Sequence, residues 1–217
     1  MFEHLTFWKE QGMNPTVIYD IGANCGSWSD MILKIFPTAH VELFEANAEH
    51  KKSIEKYNHH ITLLGNEYKE RIPFYRNTIG CTTGNSIYLE QTHYFTPNTC
   101  IVDFLTMHTL DDYVVKNNLR KPEFVKLDVQ GAELDILKGM TSLFDTVKYF
   151  VIEVSLHKYN KDSPMIEDII KFLHANEYSI IDIVELHRIN GFLAQVDLLF
   201  AHTSTKMRRE HFYNILF

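Results

Sequence analysis

The chain has 217 residues, 45% hydrophobic and 23% charged, with a formal net charge of −7. This length buries a sizeable core within one domain, 1–217, and the proportions exclude a disordered chain. The acidic balance disfavours a sequence-independent nucleic-acid binder, which needs a basic surface to neutralise phosphates.

Residues 3–11 read as a short helix inside an N-terminal segment, 1–16, that covers one edge of the domain. Val17-Ile18-Tyr19-Asp20-Ile21 is a short β-branched run, read as a buried strand. A helix over 27–36 follows and is stopped by Pro37. His40–Glu45 reads as a second strand, 49–57 as a helix and 61–66 as a third strand. The helical period then disappears. Ile72–Tyr75, Ser86–Leu89 and Cys100–Phe104 read as β segments of an insertion over 67–105, with a turn region at Gly80 to Asn85. Long excursions of this kind tend to be lids or binding loops.

Regular alternation resumes with a helix capped by Thr109, a fourth strand over 124–129 and a helix at Glu133–Lys138 capped by Gly139. A fifth strand covers 149–154, and a helix covers 164–175 with Pro164 at its start. Asn190-Gly191 lies between two apolar runs, 179–186 and 192–201, and signals a hairpin. Strand–helix alternation ending in a hairpin predicts an α/β, doubly wound, Rossmann-like fold. Its sheet is mainly parallel and seven-stranded, with a C-terminal antiparallel hairpin and a β-rich insertion between strands 3 and 4.

The turn after the first strand reads Asp20-Ile21-Gly22-Ala23-Asn24-Cys25-Gly26. Strand, glycine turn and helix make a cradle for a nucleotide cofactor, since glycines let the backbone approach a ligand closely. The dinucleotide fingerprint needs further glycines where Asn24 and Ser27 stand, which weakens a nicotinamide dehydrogenase. Asp-x-Gly-x-Asn-x-Gly instead resembles the first motif of S-adenosylmethionine (SAM)-dependent methyltransferases. A carboxylate near a sulfonium and an ammonium is electrostatically favourable. Glu45 closes the second strand, where a carboxylate accepts both hydroxyls of a ribose diol.

Residues 124–140 narrow the class. Lys126-Leu127-Asp128-Val129-Gln130-Gly131-Ala132-Glu133, closed by Lys138-Gly139, resembles the signature of the FkbM family of SAM-dependent methyltransferases. The similarity extends to Thr109-Leu110-Asp111, to Asp20–Gly26 and to Phe44-Glu45-Ala46, where the family usually has Phe-Glu-Pro. It covers about residues 17–185. The resemblance implies methyl transfer, usually to a hydroxyl oxygen on sugars, polyketides or related metabolites. It implies that Asp20, Gly22, Asn24 and Gly26 hold the methionine part of SAM, and that Glu45 with Ala46 holds the ribose. Asn66 and Glu67 would lie against the adenine, Asn85 and Ser86 at the cofactor rim, and Asp128 between methyl donor and acceptor.

A hydroxyl acceptor must lose its proton. The candidates are Asp128, Glu133, Glu153 and His157, with His157 first because its ordinary pKa suits base work near neutrality. Aromatic side chains between 68 and 95, Tyr88 and Tyr94 among them, are candidate acceptor contacts. No metal is expected: no His-Glu-x-x-His spacing occurs, and Asp111-Asp112 sit at a helix start where the macrodipole favours carboxylates. The predicted partner is a small-molecule or glycan acceptor, with no nucleic acid. The turn after the fourth strand reads Asp128-Val129-Gln130-Gly131, unlike the Asp/Asn-Pro-Pro-aromatic turn of amino-nitrogen methylation. A nucleic-acid methyltransferase and a non-catalytic binding protein on this fold are the alternatives.

Cys25, Cys81 and Cys100 are odd in number and unrelated in spacing, which points to a reducing compartment. The first residues carry early charge, and no run of 18 apolar residues exists to span a membrane. The chain reads as cytoplasmic. The cluster Lys206–His211 reads as a solvated terminal face, and strand segments at 72–104 are able to pair between subunits in a homo-oligomer.

Overall fold

The computed structural model describes residues 1–78, 82–92 and 95–207. Helix α1 (Phe2–Glu10) turns Leu5 and Trp8 inward. It leads to β1 (Val17–Ile21), whose five residues are all buried because helices cover both faces of a central parallel strand. Helix α2 (Ser27–Ile35), β2 (His40–Glu45), the short α3 (Lys51–Ile54) and β3 (Asn58–Ile61) follow. After the insertion come α4 (Leu110–Lys116), β7 (Phe124–Leu127), α5 (Glu133–Lys138), β8 (Tyr149–Ser155), α6 (Ile166–Ala175), β9 (Tyr178–Ile189) and β10 (Phe192–His202).

The main sheet runs β3-β2-β1-β7-β8-β10-β9. Its first five strands are parallel, and β10 is antiparallel to both β8 and β9. The fold is thus doubly wound and Rossmann-like, a mainly parallel seven-stranded sheet ending in an antiparallel hairpin, as expected. Side chains alternate across the sheet and build two cores. One packs Leu5, Trp8, Trp28, Ile32 and Ile54 of α1–α3 against Ile18 and Leu43. The other packs Leu110, Val114, Ile136, Leu137, Ile169 and Leu173 of α4–α6 against Tyr19, Leu127 and Ile152. Among the described residues, no helix is long and apolar enough to cross a membrane.

Local chemistry explains most boundaries. Thr109 accepts a hydrogen bond from the Asp112 N–H and caps α4. Asn190 and Gly191 both hold positive φ, 51° and 84°, as the two-residue turn between β9 and β10 requires. Gly139 ends α5 with φ −88°, so it is no left-handed cap. A Cβ there would lie 2.0 Å from the Gly65 carbonyl oxygen, and close packing is what demands glycine.

Three readings are corrected. The third strand expected at 61–66 is two pieces: β3 pairs with β2 at the sheet edge, while β4 (Leu63–Leu64) belongs to a second sheet. The polar run Asn58-His59-His60 makes the edge strand, where solvent tolerates it. The helix expected over 49–57 shrinks to a turn plus α3. Ser86–Leu89 forms no strand: the Tyr75–Ser86 bridge ties it to β5 (Lys69–Asn77), and Ile87 packs on the small core of Leu63, Phe74 and Met107. The insertion itself is a three-stranded sheet, β4-β6-β5, with β6 at Cys100–His108. Gly80, Cys81, Tyr94 and residues 208–211 of the basic cluster lie outside the described residues.

Candidate functional site

The carboxyl ends of β1, β2, β7 and β8 open into a cavity of about 350 Å³, where open α/β sheets place their ligands. Its floor begins at the turn after β1. The Gly22 and Ala23 N–H groups donate to the Phe44 carbonyl at 2.9 and 3.1 Å, which ties this turn to β2. Gly22 has φ +78°, and a Cβ on it would stand 1.8 Å from the Asp128 carbonyl oxygen. Only glycine lets the two loops meet there.

Asn24, also left-handed at φ 49°, donates its N–H to Glu45 Oε2 at 2.8 Å. Glu45 Oε1 accepts the Asn47 N–H at 2.7 Å. Each oxygen keeps a lone pair for a further donor, so the carboxylate can grip a vicinal diol. Burial pushes the Glu45 carboxyl up, and the two backbone N–H bonds oppose that rise.

Asp20 is fully buried and absent from the cavity wall. It accepts the Ser29 hydroxyl at 2.7 Å and lies 3.1 Å from Lys126 Nζ. Lys126 also donates to the Gly22 carbonyl at 3.0 Å and approaches Asp128 at 3.3 Å. Burial pulls this ammonium down, but Asp20 and Asp128 outweigh it and leave its pKa raised. Asp20 therefore supports the turn from beneath. Gly26, at φ +81°, opens α2 behind the turn.

Gly22, Asn24, Glu45, Ala46, Asn85, Ser86, Asp128 and Glu153 share the cavity wall. Asn66 and Glu67 do not: both are exposed, and Thr62, Leu63, Leu64 and Phe74 form an apolar slot beyond Ala46 instead. His157 is exposed and also off the wall. Tyr88 is off the wall too, its hydroxyl donating to Asp135 at 2.7 Å. That bond and the Ser86 hydroxyl, 3.3 Å from the Val129 carbonyl, hold residues 83–90 across the cavity mouth.

The opposite end of the cavity carries groups that sequence reasoning missed. Gln130, in the left-handed region at φ 55°, donates to Glu153 Oε2 at 2.5 Å and to Asp128 Oδ1 at 3.0 Å. Gln195 donates to the same Glu153 oxygen at 2.7 Å. His187 lies 2.6 Å from Asp197 and 3.7 Å from Glu153. Burial, with Asp128, Asp197 and Glu133 nearby, pushes Glu153 up to about 10. The bond to Asp197 raises His187, against burial. Gln195 and Asp197 are two residues apart in an otherwise apolar strand, which puts both on one face; that was the available signal.

A family model described as "Methyltransferase FkbM domain" matches residues 20–180. The chain belongs to the FkbM methyltransferase family. The turn after β1 and the Glu45 carboxylate, each of whose oxygens keeps a lone pair, fit S-adenosylmethionine, the cofactor of that family. A stretch of 52 residues is 38% identical to the hexuronic acid methyltransferase AglP of Haloferax volcanii, covering 23% of this chain and 22% of that one. The magnesium protoporphyrin IX methyltransferase of Synechocystis, solved with bound SAM, superposes with a TM-score of 0.51 at 13% identity. That superposition covers 93% of this chain and 78% of the other, a likeness of fold.

Proposed function

We propose that this FkbM protein transfers the methyl group of SAM to a hydroxyl oxygen of a sugar or sugar-bearing small molecule. The observation that carries this reading is the division of the cavity. One end offers a diol-binding carboxylate and an apolar slot. The other is a wall of hydrogen-bonding groups, Asp128, Gln130, Glu153, His187 and Gln195, suited to a polyhydroxylated acceptor. The short similarity to a hexuronic acid methyltransferase supports the sugar class.

In this reading Gly22 and Asn24 hold the methionine part, with Asp20 and Gly26 fixing the turn behind them. Glu45 takes the ribose hydroxyls, and Ala46, Leu63 and Phe74 receive the adenine. Asn85 and Ser86 close the rim, and the half-exposed Asp128 faces the ammonium. Bound SAM supplies a methyl group already activated by its sulfonium, so the protein's task is to orient the acceptor and exclude water.

The test incubates the protein with SAM labelled in its methyl group and a panel of neutral and uronic-acid oligosaccharides, with RNA and peptide controls. Label in a base-stable ether on a saccharide is expected. Label only in a base-labile ester, or on nitrogen, would contradict the hydroxyl assignment.

A further inference from the structure

Three side chains at the acceptor end come from three adjacent strands: Glu153 from β8, His187 from β9 and Asp197 from β10. One ligand atom from each lies within 4.8 Å of the others. We propose that His187, oriented by Asp197, is the base that takes the proton of the acceptor hydroxyl. The proposal rests on the hydroxyl-acceptor reading above.

The geometry supports a division of roles. An Nε2–H donating to Asp197 at 2.6 Å leaves the imidazole lone pair on Nδ1. Asp197 is 5% exposed, so a charge-assisted bond to it holds the ring firmly. Asp197 is thus the positioning residue and His187 the catalytic one. His187 is half-buried and lines the cavity, which puts its ring beside the space left for the acceptor.

Glu153 completes the arrangement. Both Gln130 and Gln195 donate to its Oε2, while Oε1 faces His187. Burial keeps this carboxyl protonated at neutral pH, rising to about 10. A second full negative charge beside the imidazole would hold its proton more tightly; a neutral Glu153 avoids that. The other charged groups facing the cluster are Glu185 on β9 and Asp128 after β7, with Lys126 and Glu133 behind Glu153.

In the step itself the acceptor oxygen bonds to the methyl carbon as the carbon–sulfur bond breaks, its electron pair remaining on sulfur. The hydroxyl proton passes to His187 Nδ1. The resulting imidazolium, stabilised by Asp197, then releases its proton to solvent.

The test compares wild type, His187→Ala, Asp197→Asn and His157→Ala. Methyl transfer is measured against pH with a glucuronosyl disaccharide and its neutral glucosyl counterpart. The His187 imidazole is titrated by NMR in SAM-saturated protein, its signals assigned by their loss in His187→Ala. The expected wild-type acid limb lies above the ordinary histidine value and coincides with the NMR titration. His187→Ala should lower kcat by about 10²–10⁴-fold with SAM affinity intact. Asp197→Asn should move both limb and titration down towards the ordinary histidine value, since the bond to Asp197 is what raises it. His157→Ala should retain wild-type kcat.

An acid limb and kcat that persist in His187→Ala would overturn the proposal. So would a divalent cation required for activity and no longer bound by His187→Ala, since the three groups would then be ligands. If neither disaccharide is methylated while SAM still binds, the hydroxyl reading fails and the base proposal falls with it, whereas methylation with an unchanged kcat in His187→Ala overturns the base alone. An unshifted His187 in the NMR titration refutes its pairing with Asp197 whichever acceptor is used.

Discussion

Glu133 and Glu153 are carboxyls whose burial outweighs the hydrogen bonds they receive. Glu133 accepts the N–H groups of Val129 and Gly131 at 3.0–3.1 Å, yet burial lifts it to about 7. Between the ordinary value of 4.5 and about 7 the folded protein holds a proton that the unfolded chain has lost. Stability therefore falls as pH rises through that window. Glu133→Gln should remove a decline on the order of 3 kcal/mol between these pH values, read as urea midpoints at pH 5 and 8. Glu153→Gln should flatten the curve further, up to about pH 10. An unchanged slope in Glu133→Gln would show that this carboxyl ionises normally. Glu133 was visible in the sequence as part of a motif, but its burial was not. That property comes from α5 packing under the turn after β7.

At the scale of elements, the segment over the cavity mouth is pinned along its length, by the Tyr75–Ser86 pair to β5 and by Leu89 and Gln91 to the loop after β8. Tyr88 to Asp135 anchors it to α5, and the Glu90–Asn160 bridge anchors it to the loop after β8. Burial and the Asp135 carboxylate raise the Tyr88 hydroxyl, so it stays a donor at all working pH values. Tyr88→Phe removes that donor and should cost about 1 kcal/mol of closure, near fivefold in SAM affinity. Amide exchange should quicken at residues 85–90 while α5 keeps its protection; unchanged exchange there would refute the anchoring role. Strands β1 and β2 and the Asn190-Gly191 turn were legible because apolar runs and turn residues are local signals. β3 was not, because Asn58-His59-His60 becomes a strand only through pairing with β2. Ser86–Leu89 misled for the opposite reason, since its apolar residues cover a cavity instead of joining a sheet.

At the scale of the whole molecule, the parallel half of the sheet and the reversed hairpin meet at the cavity from opposite sides. The β1–β2 side was legible as a strand-end turn, with Gly22 just past β1 and Glu45 closing β2, because each lies where a single strand stops. The side built by β8, β9 and β10 was not. His187, Gln195 and Asp197 become neighbours of Glu153 only through the registers of β9, β10 and β8, which no single segment encodes. Asn66 and Glu67 were displaced when the chain left the main sheet at Thr62 to start the insertion. Calorimetric titration with SAM of the wild type, Glu45→Gln and Glu45→Ala, each checked for an unchanged melting profile, tests the cofactor end most directly. SAM should bind the wild type, with affinity falling about 10-fold or more in both variants as hydrogen bonds to a charged group are lost. Equal affinity in all three would place the ribose elsewhere and contradict the assignment of this cavity.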